Sequence, residues 1–144
     1  MWSTKRGSGK EMDERRFVVF DAGVLRLAVP EAAVVAVRDW SPPHPLPQGA
    51  DWLLGLLPGE GGVVPVLREE TFGGPNGPPE VLIVMERSGR VLALPARGPR
   101  LCRASVEMAP PEAAPWCEGV VASDPEIRCI DLARLYRGLG IGIE

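Results

Sequence analysis

Apolar residues fall in short runs along this chain, each broken by glycine, proline or an Asp, Asn or Ser turn. These runs carry the structural signal, with no long periodic stretch before the end. Residues 17–20 (FVVF) predict a strand, Asp21, Ala22 and Gly23 a turn, and residues 24–29 its hairpin partner, with Leu25, Leu27 and Val29 on one face. Pro30 ends that strand, Glu31, Ala32 and Ala33 predict one helical turn, and residues 34–38 a third strand. The segment 40–48 carries Pro42, Pro43, Pro45 and Pro47 and reads as an extended loop. Asp51 is placed to cap a brief helix over 52–54. After the polar residues 68–72 and the loop 73–79 (GGPNGPP), residues 81–85 (VLIVM) form the most apolar run. Ser88 and Gly89 turn it into a partner at 91–94. Residues 95–99 read as irregular and 101–106 as a further strand; 119–122 and 127–130 flank a turn at 123–126. Only the ending is helical. Asp131 is the expected N-cap, Leu132, Leu135, Tyr136 and Leu139 keep i, i+3, i+4, i+7 spacing, and Gly138 and Gly140 stop the helix.

The centre of this pattern is residues 51–67, DWLLGLLPGEGGVVPVL. Leu56 and Leu57 run into a turn over Pro58, Gly59, Glu60, Gly61 and Gly62, and residues 63–67 return as a second strand. Pro65 cannot donate to a ladder, so the return strand is expected at an edge or a bulge. An apolar edge is either covered by its own fold or kept for a partner. The elements sum to a mainly β protein: an arm over 1–14, polar and without periodicity and so expected to be disordered, then one domain over 15–144. Approximate subdomains 15–73 and 80–130 are followed by a closing helix at 131–139. Each strand group is too small for a robust core alone, so two small β-barrels sharing one core are expected.

Composition narrows the function. The chain has 144 residues and a net charge of −3, which disfavours a broad phosphate-binding surface and hence nucleic acid. No apolar run reaches the roughly 18 residues of a membrane span. Three cysteines without a C-x-x-C pair suit reduced, mostly buried thiols and a cytoplasmic location. Neither a cofactor nor a metal is called for. The only histidine, His44, sits in the proline-rich loop without local partners. The fragment Gly7, Ser8, Gly9, Lys10 lacks the glycine five positions before Gly9 and the hydroxyl residue after Lys10 of a phosphate loop, with Thr4 and Glu11 standing there. The glycines at 138, 140 and 142 lack the flanking strand and helix of a dinucleotide fingerprint. Asp21, Asp124 and Asp131 lie in turns or at a cap, and no catalytic residue is assigned.

The succession Leu27-Ala28-Val29-Pro30, Leu46-Pro47, Trp52-Leu53-Leu54-Gly55-Leu56-Leu57 and Val63-Val64-Pro65-Val66-Leu67, followed by the later hairpin and the Ile130-Asp131-Leu132 helix start, resembles the CheW family of chemosensory coupling adaptors. The resemblance spans residues 17–139, nearly the whole ordered chain. It implies two five-stranded SH3-like β-barrels around a shared core, a short C-terminal helix and no enzymatic activity. It also implies two partners: the regulatory domain of a CheA-type histidine kinase and the cytoplasmic tip of a chemoreceptor. Two departures stand out. The family usually carries an Asn-x-Arg-Gly turn after the glycine, whereas this chain has Pro58, Gly59, Glu60 and Gly61, a carboxylate for a guanidinium. Where the family tends to an acidic Val-Asp pair, this chain has Leu94, Pro95, Ala96 and Arg97.

Gly55, Glu60, Gly61, Val63, Val64, Pro65 and Val66 are therefore the expected partner-binding residues, with ordinary core packing the competing role for each valine. Trp52 and Trp116 fit either interface anchors or half-buried lids. Two alternatives to kinase coupling follow. One is a CheW-like domain that has lost chemoreceptor binding and docks another motility or polar-organising protein. The other, of a different class, is a small thiol- or carboxylate-dependent β-barrel enzyme.

Overall fold

A computed structural model describes residues 14–59 and 61–141. Its strands are β1 (Arg15–Ala22), β2 (Leu25–Pro30), β3 (Val34–Asp39), β4 (Leu53–Gly59), β5 (Gly62–Leu67), β6 (Val81–Arg87), β7 (Arg90–Ala104), β8 (Val106–Met108), β9 (Cys117–Val121) and β10 (Asp124–Ile130). Short 3-10 turns occupy Glu31–Ala33 and Glu69–Phe72, and one helix, α1 (Leu132–Gly138), closes the described chain. Asp131 caps α1 as the sequence predicts, its carboxylate accepting from the Arg134 N–H at 3.1 Å. All but residue 14 of the expected N-terminal arm lies outside the described residues.

The strands pair in two groups joined by β7, which at fifteen residues is long enough to serve both. In the first group β3, β6 and the start of β7 run antiparallel, while β5 lies alongside β7 in parallel, with Val66 opposite Ala93 as its one ladder pair, and carries β4 on its other side. In the second, the end of β7 pairs with β1, β1 with β2, β2 in parallel with β10, and β9 links β10 to β8. The groups are thus interleaved along the chain rather than successive. The first hairpin, β1–β2, pairs with strands from the chain's second half and not with β3–β5, which cuts across the expected division at 15–73 and 80–130. Hydrophobic runs specify strands and turns, but they do not say which non-neighbouring edges meet.

Strand alternation builds three apolar clusters, because both faces of the central strands are covered. Phe17 and Val19 point into the second group with Ala28, Ile127 and Cys129. Leu82, Val84 and Ala93 point into the first with Leu57, Val64 and Val66. The alternate residues Val18, Phe20, Ile83, Met85, Leu92 and Leu94 meet between the groups, together with Leu132, Leu135 and Tyr136 of α1. This middle cluster holds sixteen buried residues against seven and six in the other two, so neither group keeps a core of its own size without the other. At ~1.5–3 kcal/mol for each large buried side chain, the middle layer contributes most of the burial energy.

Three local expectations are corrected. Residues 52–54 do not form a helix: Leu53 opens β4 opposite Leu67, and strand pairing outweighs the weak local cap. The turn after Leu57 is tighter than expected, since Gly59 pairs with Gly62. Residues 95–99 are part of β7 rather than irregular. Pro95 stands opposite Leu82, and β5 pairs with the other edge of β7 only at Ala93, so a missing donor is tolerated there. Gly98, at a φ of +59°, and a register shift opposite Val19 and Asp21 absorb Pro99 as a bulge.

Candidate functional site

The first strand group leaves a gap. Its path runs β4-β5-β7-β6-β3, and the outer strands β3 and β4 meet through a side chain instead of a backbone ladder. Arg38 Nη1 donates to the Pro58 carbonyl at 3.1 Å. Beside that link lies a cleft of about 720 Å³. Val35, Ala36 and Arg38 form one wall, Pro58, Gly59 and Gly61 the other, and Val84 and Val91 contribute to its lining. Val35 (56%) and Val37 (47%) are exposed on β3, and Val63 (64%) on β5. Among the described residues, the site is therefore an apolar surface around an unpaired sheet edge, with the Arg38 guanidinium beside it.

The seven residues singled out in the sequence divide sharply. Val63 is exposed and Gly61 has open space around it. Val64 and Val66 are buried in the small cluster of the first group, and Pro65 is half-buried. Gly55 is buried, and a Cβ there would stand 2.5 Å from the His44 carbonyl oxygen. The absent side chain lets the proline-rich loop lie against β4, where His44 and Leu56 exchange two backbone hydrogen bonds of 2.9 Å. Glu60 lies outside the described residues. Sequence reasoning passed over Val35, Val37 and Arg38. Residues 34–37 are a continuous run of Val, Val, Ala and Val, which reads as a strand covered on both faces, and the alternation that exposes Val35 and Val37 appears only once β3 is placed at an edge. Trp52 and Trp116 both pack on the middle cluster, Trp116 edge-to-face against Phe72 at 5.1 Å. They serve as lids.

The groups a thiol enzyme would need are apart. His44 stands against β4 in the first strand group, whereas Cys102, Cys117 and Cys129 belong to β7, β9 and β10 of the second. Burial, with the Glu118 charge adding to it, pushes the Cys129 thiol up to about 12, far from a nucleophilic thiolate. Cys117 donates its S–H to the Gly119 carbonyl at 3.2 Å. Among the described residues, no three His, Cys, Asp or Glu side chains group as metal ligands, and no helix is long and apolar enough to cross a membrane.

Two comparisons bear on this geometry. Residues 16–100 match the family model of the CheW-like domain. Among solved structures, the fold is similar to that of the scaffolding protein TtCheW from Thermoanaerobacter tengcongensis, with a TM-score of 0.71 and 19% identity over 81% of this chain and 88% of that one. No curated protein matches the sequence.

Proposed function

The chain belongs to the CheW-like domain family, and from that premise we propose that it is a non-enzymatic adaptor of bacterial chemotaxis or motility signalling. It couples a CheA-type histidine kinase to its sensory input by binding the kinase's regulatory domain. The observation that carries this reading is the β3 edge, which no other strand covers among the described residues and where Val35 and Val37 stand exposed beside an apolar cleft and near the exposed Val63. Burying such a surface against a partner is favourable at roughly 25 cal/mol per Å² of apolar area, and the free edge adds backbone hydrogen bonding by strand addition. We read each strand group as an SH3-like barrel, a reading supported by the apolar cluster that each encloses. On it, each barrel presents a patch of its own. Leu101 (64% exposed) on β7 and Met108 (91%) on β8 are the counterpart on the second group. Two patches let one small protein hold two larger ones in a fixed relation.

Chemoreceptor binding is the weaker of the two couplings on this reading, because Glu60 stands where the family usually presents an arginine. A reversed charge at an interface costs several kcal/mol against an unchanged partner. Co-elution tests both couplings. The wild type should carry a CheA-type regulatory domain through the column and retain a receptor tip poorly, with Glu60→Arg restoring the receptor. Tight receptor binding by the wild type, abolished by that substitution, contradicts the assignment of the turn. Retention of neither partner by the wild type would favour docking to another motility or polar-organising protein.

A further inference from the structure

The two strand groups meet across an apolar layer, and apolar contact has no directional preference of its own. A buried polar cluster at one end of that layer supplies direction. Glu69, 7% exposed, lies in the 3-10 turn that follows β5 and so belongs to the first group. Its Oε1 accepts from the Gly23 backbone N–H at 2.9 Å and from Arg97 Nη1 at 3.0 Å. Arg97 Nη2 in turn donates to the Gly23 carbonyl at 3.1 Å. Gly23 is the turn between β1 and β2, in the second group, and Val24 next to it donates its N–H to the Phe72 carbonyl at 3.0 Å. Arg97 itself sits where β7 leaves β6, with Ala96 opposite Val81, and takes up β1, with Arg97 opposite Asp21. One carboxylate and one guanidinium thus tie a turn of each group to the strand that crosses between them.

We propose that Glu69 and Arg97 form a clamp on Gly23 that fixes the relative orientation of the two strand groups. Both are positioning residues, and the proposal needs no partner. The chemistry suits the task better than it suits bulk stability. A buried ion pair replaced by well-packed apolar residues is often neutral for stability, whereas its geometry admits one arrangement of the parts it joins. The planar guanidinium spans the Glu69 carboxylate and the Gly23 carbonyl at once, which a lysine ammonium would not reproduce. Gly23 has room for nothing larger: its φ is +59° and an added Cβ would overlap the Phe72 carbonyl.

The test is the distance between the groups, which a merely stabilising pair would not move. Spin labels go on Asp39→Cys in β3 and Glu107→Cys in β8, both exposed, in a Cys102→Ser background that leaves only the buried Cys117 and Cys129. The clamp predicts a narrow distance distribution for this parent. Adding Glu69→Gln or Arg97→Met should broaden it about twofold or more, with Arg97→Lys intermediate and the double variant no broader than either single one. Amide exchange of Gly23, Val24 and Gly74 should quicken about tenfold or more, while Val19 and Val84 inside the groups keep their rates. The double variant removes both charges and guards against loss of folding from one unpaired buried charge. An unchanged distribution in every variant overturns the clamp, and so does exchange that quickens equally throughout the chain.

Discussion

Gly55→Ala tests whether the glycine in the central motif serves the fold or a partner. An alanine Cβ would lie 2.5 Å from the His44 oxygen and 2.8 Å from its carbonyl carbon, where ordinary contact begins at 3.4 Å. The loop must therefore retreat by 0.9 Å, the difference between 3.4 and 2.5 Å. Both His44–Leu56 hydrogen bonds, each 2.9 Å long, would then be stretched to or beyond the limit of bonding. At a net ~1 kcal/mol for each bond, the expected cost is about 2 kcal/mol. For a chain of this size that is a fall of roughly 4–8 °C in melting temperature. Gly61→Ala is the control, having nothing within 4 Å of the added carbon, and should change stability by no more than about 0.5 kcal/mol. Urea unfolding followed by tryptophan fluorescence reads both variants, and kinase-domain affinity is measured where each remains folded. A Gly55→Ala protein as stable as wild type but unable to bind would refute the structural role and return this residue to the interface.

The other predictions are briefer. Burial raises the Cys129 thiol from 9.0 to about 12 and the Tyr136 phenol from 10.0 to about 12. Each group holds its proton more tightly in the folded state, so its contribution is complete below its unfolded value and lost as pH rises toward 12. Denaturation midpoints should therefore fall most steeply between about pH 9 and 12, and Cys129→Ala should flatten that fall. In native protein near pH 8, Cys102 should react with a thiol reagent about tenfold or more faster than Cys117 and Cys129; a fast, low-pKa buried thiol would instead support an enzyme. Asp131→Ala removes the cap of α1 and should cost ~1 kcal/mol in urea unfolding.

Legibility followed the range of the interactions. The hairpins at Gly23 and at Ser88 and Gly89, the turn at Glu31–Ala33 and the cap at Asp131 all depend on residues close in sequence, and they stand where the hydrophobic runs placed them. The long β7 was missed because Pro95 and Pro99 are local breakers whose tolerance depends on distant edges, with Leu82 opposite one and a bulge at the other. The parallel pairing of β2 with β10 leaves no local mark at all. In the site, the motif around Gly55 led to the β4–β5 hairpin but did not separate its exposed residues, Gly61 and Val63, from the buried Gly55, Val64 and Val66, because valines facing in and out of a strand look alike until the edge is known. Arg97 drew notice only as a departure from the family's usual residue, and its partner Glu69 lay in a stretch read merely as polar.

Titration calorimetry of a CheA-type regulatory domain against wild type, Val35→Glu and Val63→Glu reaches the adaptor claim most directly. Both side chains are exposed, so the variants should unfold within about 0.5 kcal/mol of wild type. Binding should weaken about tenfold or more in each, since a carboxylate would have to be buried against apolar surface. Affinity untouched in both folded variants would contradict the assignment of the β3 edge and its cleft as the docking surface.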